Sequence, residues 1–272
     1  MYEAYWQLSG RPFDDAVDQR NYYPSETHQG TLLKLRYAIE NQRGAAMVCG
    51  PSGVGKSMLV GALRRQLGEQ NAPLVHLVFP HLTPRELVAY LADELGAAPP
   101  AHHDALDEQL RRLQKLLREH AALNRQPVLA IDEAHLLGEA GLLDTVRLLL
   151  NFEVGGRPAW TLLLFGQPTL APLVERMAAF EDRLAVKCLL RPFSLDETIS
   201  YVSHRLMAAG ARREILSHDA LLSLYHVSGG NPRRINRVCD LALLIGFAEE
   251  LRVLDAAHIE SVAEELLTIS SD

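Results

Sequence analysis

Hydrophobic and polar positions divide the chain into two parts with different patterns. In the first part, short and almost uninterrupted apolar runs alternate with longer segments in which apolar residues recur at helical spacing. Uninterrupted runs are typical of strands buried on both faces, and helical spacing is typical of amphipathic helices. The predicted strands are 45–49, 73–79, 127–131, 160–165 and 185–190. This alternation predicts an α/β fold in which helices cover both faces of a parallel five-stranded sheet.

Only helical segments follow residue 193. The helices predicted before it are 26–42, 56–70, 84–96, 104–123, 139–153 and 169–180, and those after it are 194–209, 217–228, 232–248 and 255–267. Capping boxes are predicted at Thr83–Glu86 and Ser194–Glu197, and further N-caps at Asp104, Ser217 and Asp255. We therefore expect a sheet domain at 1–192 and a small, all-helical lid domain at 193–272.

Composition narrows the class of protein. The 272 residues include 48% hydrophobic residues, enough for a packed core, and carry a formal net charge of −7, which disfavours general binding to polyanions. Cys49, Cys188 and Cys239 are widely spaced in apolar segments, so they fit neither a disulfide framework nor a zinc site. The sequence begins without the pattern of a signal peptide, and no apolar run is long enough to span a bilayer. We expect a cytoplasmic protein with reduced thiols.

One stretch carries a specific chemical signal. Residues 50–57 read GPSGVGKS, which fits the phosphate-loop pattern, and they lie between a predicted strand and a predicted helix. In such a loop, backbone N–H groups and the positive end of the helix dipole surround phosphate oxygens. Lys56 is expected to reach the β- and γ-phosphates of ATP, and the Ser57 hydroxyl to bind Mg²⁺. The predicted nucleotide-binding residues here are Gly50, Pro51, Ser52, Gly53, Val54, Gly55, Lys56, Ser57 and Met58.

A second signal follows the predicted strand 127–131, which ends directly before Asp132 and Glu133. Ligands bind at the carboxyl ends of parallel strands, so both carboxylates are expected at the same edge as the phosphate loop. We expect Asp132 to hold Mg²⁺ and Glu133 to polarise the attacking water. Residues 132–135 also spell the DEAH of certain helicases, but the chain is too short for two RecA-like lobes, and we interpret the coincidence as uninformative.

Three further side chains are candidates for the same site. Gln167 follows the strand 160–165 and is expected between Glu133 and the γ-phosphate. Arg183 lies just before the last predicted strand, and Arg233 lies at the start of the helix 232–248. Arginine suits a γ-phosphate because its planar guanidinium binds oxyanions through two hydrogen bonds.

This order of motifs resembles that of the AAA+ ATPases, and more narrowly that of the ExeA/GspA type, the ATPases of general secretion and pilus assembly. The resemblance covers nearly the whole chain and rests on the stretches 23–26 (YPSE), 82–87 (LTPREL), 131–135 (IDEAH), 150–153 (LNFE), 165–168 (FGQP) and 228–236 (SGGNPRRIN). It implies sheet order 5-1-4-3-2 and sensor roles for Gln167 and Arg233. It also implies an arginine finger that acts on a neighbouring subunit, at Arg183 or else at Arg176, and therefore a homo-oligomeric ring.

The resemblance leaves several functions open. ExeA continues into a membrane span and a peptidoglycan-binding region, whereas this sequence stops after the predicted lid, so we expect only a motor or switch module. The first hypothesis is a Mg²⁺-dependent ATPase that assembles or remodels an envelope machine through a protein partner. The second is a DNA-associated AAA+ regulator of the type that selects targets in transposition, and the third is a nucleotide switch with negligible turnover. The acidic net charge favours the first. Local arginines keep the second open, namely Arg64, Arg65, Arg233, Arg234 and Arg237.

Overall fold

A computed structural model describes residues 1–14, 22–68, 73–97, 105–138 and 141–268. Contacts divide the chain into two compact units. The sheet unit comprises Glu26–Ser52 and Lys56–Leu190, and the helical unit comprises Met1–Ser25, Gly53–Gly55 and Arg191–Asp272. Residues 1–25, which were expected in the sheet domain, are therefore grouped with the helices of the C-terminal part. The domain boundary at 192/193 stays a prediction.

The strands of the sheet unit follow the predicted runs closely. They are β1 Ala45–Cys49, β2 Leu74–Leu77, β3 Val128–Ile131, β4 Glu153–Val154, β5 Arg157–Pro158, β6 Thr161–Gly166 and β7 Leu184–Leu189. The order β7-β1-β6-β3-β2 forms one sheet, whose pairs are all parallel. Counted among the five strands of this sheet alone, the order is 5-1-4-3-2, as the resemblance implies. The antiparallel hairpin β4–β5 was not predicted.

Burial explains why the inner strands are so apolar. Every residue of β1, β3 and β6 is buried. Strand β7 lies at the edge of the sheet and alternates, with Ala185, Lys187 and Leu189 exposed. Because the strands are parallel, their carboxyl ends meet at one edge of the sheet, where Cys49 pairs with Gly166. This edge is where the predicted site residues begin.

Two helices of the sheet unit differ from the prediction by more than a few residues. They are α1 Glu26–Glu40, α2 Lys56–Leu67, α3 Pro84–Glu94, α4 Leu106–Ala122, α5 Leu143–Leu149, α6 Leu170–Glu175 and α7 Ala178–Glu181. The helix expected over 139–153 is only α5, preceded by a 3₁₀ turn at Ala134–Leu137, and residues 139–140 lie outside the described residues. The helix expected over 169–180 is broken into α6 and α7, because the backbone of Met177, with φ −113° and ψ +79°, is not helical.

Helix caps were predicted with more success than helix lengths. The Thr83–Glu86 capping box at the start of α3 is confirmed, with both reciprocal hydrogen bonds present. Asp104 lies outside the described residues, and Ala105 occupies the N-cap of α4. Residues 69–70, where α2 was expected to end, also lie outside the described part.

Four helices build the C-terminal part of the helical unit: α8 Leu195–Ala208, α9 His218–Ser228, α10 Pro232–Ala248 and α11 Ala256–Thr268. Their bounds agree with the prediction to within about two residues. The Ser194–Glu197 capping box and the Ser217 N-cap are confirmed. The Asp255 carboxylate accepts a hydrogen bond of 3.2 Å from the His258 amide, as an N-cap does.

The N-terminal segment belongs to the core of this unit. Trp6 is buried there, and its Nε1 donates to the carbonyl oxygen of Leu243 at 2.9 Å. The buried guanidinium of Arg205 donates to the carbonyl oxygens of Pro12 and Asp14 and to the Tyr201 hydroxyl. These contacts give residues 1–14 apolar burial and hydrogen-bond partners within the helical unit, which is the physical reason for their grouping.

Two expectations from composition can be compared with the structure. All three cysteines are buried and free, and burial raises the pKa of each thiol. They therefore behave as apolar core residues rather than as nucleophiles. Within the described ranges, no helix is both long and apolar enough to cross a membrane.

Candidate functional site

The phosphate loop, residues 50–57, leaves the sheet at the end of β1. The Gly50 amide donates to the Gly166 carbonyl oxygen at 3.1 Å, so the loop starts against the end of β6. Gly53 and Gly55 have φ angles of +83° and +93°, a region that favours glycine. Lys56, the first residue of α2, is only 5% exposed. Its Nζ donates to the carbonyl oxygens of Gly50 and Pro51, both at 2.9 Å, so the loop curves around its own ammonium group.

Ser57 and Asp132 are joined directly, although 75 positions separate them in sequence. The Ser57 Oγ donates to Asp132 Oδ2 at 2.5 Å, and the Glu133 amide donates to the other carboxylate oxygen at 2.9 Å. Asp132 is only 4% exposed. Burial raises the pKa of this carboxyl, but the nearby His76 imidazole, the Ser57 hydroxyl and the Glu133 amide together outweigh that effect and hold the pKa below its usual range. The carboxylate is therefore ionised at neutral pH.

These oxygen atoms suit one kind of cation. Mg²⁺ is bound by few protein oxygens, mostly from carboxylates and hydroxyls, with water and phosphate completing its shell. Ser57 and Asp132 provide such a pair, one neutral and one ionised. Within the described residues, this site included, no cluster of three or more His, Cys, Asp or Glu side chains could hold a metal ion by itself. The donor set fits a magnesium ion shared with a nucleotide.

His76 is a neighbour of Asp132 that the sequence analysis missed. In the parallel register of β2 and β3, His76 pairs with Ala130, so its side chain lies on the same face of the sheet as that of Asp132, two residues on. Its Nε2 lies 3.8 Å from Asp132 Oδ2, which is too far for a hydrogen bond but close enough to favour the carboxylate. The register of two strands separated by 50 residues could not be derived from the sequence pattern.

Glu133 has an unusual backbone. It has φ +48° and ψ +35°, in the left-handed region, at the N-cap of the 3₁₀ turn. Left-handed non-glycine residues are uncommon and occur often at functional sites. The side chain is 41% exposed, so it is accessible to water, and its Oε2 lies 3.4 Å from His135 Nδ1.

Gln167 is brought to the same place through His135. The Gln167 amide, directly after β6, donates to His135 Nδ1 at 3.4 Å. The structure therefore connects four of the predicted site residues in one chain of contacts, namely Ser57, Asp132, Glu133 and Gln167. His135 is the connecting residue, and the sequence analysis had set it aside together with the DEAH coincidence.

The two arginines are placed differently. Arg233 lies in the first turn of α10, where its amide donates to the Asn231 side chain and, at 3.3 Å, to the carbonyl oxygen of Gly53, which belongs to the same unit. Arg183 is exposed between α7 and β7, and no hydrogen bond or ion pair within the described ranges joins its side chain to the other predicted site residues. The roles expected of both arginines stay predictions.

Similarity to known proteins agrees with this geometry. A family model described as an AAA domain matches residues 39–174, which is half of the chain. General secretion pathway protein A of Aeromonas hydrophila is 32% identical over 282 residues, an alignment that covers 100% of this chain and 50% of that protein. The chain thus spans about half the length of this curated relative.

Solved structures with low sequence identity share the fold. The ORC2 protein of Aeropyrum pernix, in complexes with ADPNP and ADP, has a TM-score of 0.70 at 15% identity. The superposition covers 94% of this chain and 71% of that chain. The RuvB Holliday junction branch migration motor of Thermotoga maritima has a TM-score of 0.59 at 17% identity, with 89% of this chain and 69% of that chain covered. The AAA domain model matches half of the chain, and general secretion pathway protein A is similar over the whole chain. The chain therefore belongs to the AAA ATPase family and resembles its ExeA/GspA type over its full length.

Proposed function

We propose that this protein binds ATP with Mg²⁺ and hydrolyses it to ADP and phosphate. The observation that carries the proposal is the hydrogen bond between Ser57 and Asp132, with the Glu133 amide on the other carboxylate oxygen. It brings the phosphate loop and the acidic end of β3 to one point at the carboxyl edge of the sheet, where α/β proteins bind their ligands. A glycine-rich turn with no nucleotide function would not require this convergence.

Each residue then has a distinct role. Residues 50–58, through the backbone N–H groups of residues 52–58, and the ammonium of Lys56 bind the phosphates, and Ser57 and Asp132 hold Mg²⁺, which supplies positive charge to the phosphate oxygens. Glu133, accessible to water and directly after Asp132, orients the water that attacks the γ-phosphate. Gln167 and Arg233 are proposed to sense the γ-phosphate, as the family resemblance implies.

We infer that the ATPase cycle serves to assemble or remodel a partner complex of protein. The similarity to general secretion pathway protein A supports a partner of the envelope or secretion type. The net charge of −7 also favours a protein partner over nucleic acid. The ORC2 and RuvB structures share only the fold and do not bear on the partner.

The rate at which the protein releases phosphate from ATP in the presence of Mg²⁺ tests the proposed ATPase activity. Glu133→Gln keeps the shape of the side chain and removes the carboxylate, so we expect turnover to fall by about 10²–10⁴-fold, while a fluorescent ATP analogue still binds. Glu108→Gln makes the same chemical change on an exposed position of α4 and should leave turnover unchanged. Equal turnover in Glu133→Gln and wild type would assign the water-orienting role to another residue, and failure of the wild-type protein to bind Mg²⁺ and ATP would refute the proposal.

Duplex DNA tests the nature of the partner. With a protein partner, turnover should be unchanged by added duplex DNA from about 50 to 200 mM salt. Stimulation that falls steeply over that range would instead indicate contacts to phosphates and favour a DNA-associated regulator.

A further inference from the structure

We propose that His135 is a positioning residue that couples the Glu133 carboxylate to the backbone carrying Gln167, an inference that rests on the proposed ATPase function. One ring nitrogen carries the argument. His135 Nδ1 lies 3.4 Å from Glu133 Oε2 and 3.4 Å from the Gln167 amide nitrogen. The two residues proposed to orient water and to sense the γ-phosphate therefore share a single neighbour.

The 3₁₀ turn that carries His135 is anchored in the core of the sheet unit. His135 lies in the 3₁₀ turn 134–137, and the turn is anchored by Ala134 and Leu137, which are completely buried. The imidazole itself is only 13% exposed. Packing against the sheet unit therefore fixes the position of the imidazole.

The end of β6 approaches the same turn closely. A Cβ atom on Gly166 would lie 3.2 Å from the His135 backbone nitrogen and 2.8 Å from Leu170 Cδ2. Real Cβ atoms do not tolerate such distances without movement of their neighbours. Glycine at this position lets the turn and the strand end pack together, which is what brings the Gln167 amide to the ring.

Hydrogen-bond chemistry allows the ring nitrogen only one of its two neighbours at a time. An amide N–H can only donate and a carboxylate oxygen can only accept. In the observed contact Nδ1 accepts from Gln167, so the ring proton is assigned to Nε2. In the other neutral tautomer Nδ1 would donate to Glu133, and the Gln167 amide would lose this acceptor. His135 thus has two alternative partners, and a movement of the Gln167 loop releases the ring to Glu133.

Substitution of His135 should separate turnover from binding. We expect His135→Ala to lower kcat by about 10–100-fold, by analogy with residues that orient metal ligands without binding the metal. The ATP affinity should change less than about threefold. His135→Asn, whose short amide offers both an acceptor and a donor near the position of Nδ1, should recover most of the lost kcat. His218→Ala, on an exposed position of α9, is the matched control and should behave as wild type.

A double-mutant cycle distinguishes positioning from a general loss of structure. If His135 acts through the Glu133 carboxylate, His135→Ala should reduce kcat much less in the Glu133→Gln background than in wild type. Factors that multiply in the double variant would overturn the proposal, as would a His135→Ala protein with unchanged kcat. A His135→Asn variant as slow as His135→Ala would overturn it as well.

Hydrogen exchange of the Gln167 amide provides a test that does not depend on hydrolysis. The contact with Nδ1 predicts faster exchange in His135→Ala than in wild type and His135→Asn, with thermal unfolding used to confirm that the variants are folded. If the wild-type protein does not hydrolyse ATP, the proposed function fails, while this exchange still measures the coupling geometry. Equal exchange in all three proteins would refute the coupling.

Discussion

At the scale of single residues, Lys56 shows how the phosphate loop maintains a buried charge. A buried ammonium is costly unless it is hydrogen-bonded, and here the loop's own carbonyl oxygens at Gly50 and Pro51 serve as partners. The positive charge is therefore held within the loop, on the residue directly before Ser57. This placement leads to a direct prediction for nucleotide binding.

Lys56→Ala should weaken ATP binding by about 30-fold or more, because loss of a buried charged partner costs about 2–5 kcal/mol and 1.4 kcal/mol is tenfold. Titration with a fluorescent ATP analogue measures the change. Lys115→Ala is the matched control, since this exposed lysine lies 3.8 Å from Glu119 on α4 and has no contact with the loop. A folded Lys56→Ala protein with wild-type affinity would contradict the assignment of the loop.

Residues inside short motifs were predictable, and residues that act across the fold were not. Lys56, Ser57 and Asp132 could be named from the sequence, because each motif specifies local geometry beside a recognisable strand. His76 and His135 could not, because their contacts depend on strand register and on the approach of β6 to a turn 32 positions earlier. Their functional interpretation requires the three-dimensional structure.

At the scale of secondary structure, two adjacent glycines in the helical unit have different constraints. Gly229 and Gly230 follow α9 with φ angles of +59° and +69°. A Cβ on Gly229 would meet nothing within 4 Å, whereas one on Gly230 would lie 2.0 Å from the Phe193 carbonyl oxygen. The Phe193 amide also donates to the Gly230 carbonyl oxygen at 2.8 Å. Gly230 therefore permits a close backbone contact that Gly229 does not make.

Gly229→Ala should lower the free energy of unfolding by about 1–2 kcal/mol, the cost of a left-handed alanine. Gly230→Ala should cost about 1–3 kcal/mol beyond that, because the added methyl group displaces the Phe193 backbone. Urea unfolding followed by circular dichroism compares the two variants under the same conditions. Equal midpoints would mean that the backbone at Phe193 moves aside without cost.

Helix ends were predicted better than interruptions within elements. Ser194 and Ser217 mark helix starts because their side chains satisfy backbone amides locally, and this chemistry is visible in sequence. The breaks around α5 and α6 were not predicted; Gly141 has a positive φ of +66° shortly before α5, and Met177 is not helical between α6 and α7. The missed hairpin did have a signal: Gly155–Gly156, both with positive φ, lie between the two short strands, which is a recognised turn pattern.

At the scale of the whole molecule, the resemblance implies that a subunit completes the site of its neighbour. Arg183 is exposed directly before β7, and it is not one of the residues that the contacts described above connect to Ser57 and Asp132. An arginine finger in trans contributes about 10³–10⁵-fold to phosphoryl transfer. We therefore expect specific ATPase activity to rise with protein concentration as subunits associate.

Arg183→Ala should retain ATP binding and lose turnover, and a mixture with Lys56→Ala should recover activity. The Lys56→Ala subunit contributes its intact Arg183 to the intact phosphate loop of the other subunit. Arg176→Ala, at the exposed C-cap of α6, provides the comparison for the alternative finger. Specific activity independent of concentration in a protein that remains monomeric with ATP would contradict this prediction, as would an inactive mixture of co-assembled variants.

The grouping of Met1–Ser25 with Arg191–Asp272 means that the sheet unit interrupts the helical unit in sequence. The chain has two tryptophans, and this arrangement assigns one to each unit: Trp6 to the helical core and Trp160 to the sheet core. Both indoles are buried, and each donates to a backbone carbonyl oxygen of its own unit, that of Leu243 for Trp6 and that of Leu149 for Trp160. Tryptophan fluorescence can therefore report on each unit separately. The Trp6→Phe variant emits only from Trp160 in the sheet unit, and the Trp160→Phe variant emits only from Trp6 in the helical unit. The folding of the two units can be followed independently without any attached dye.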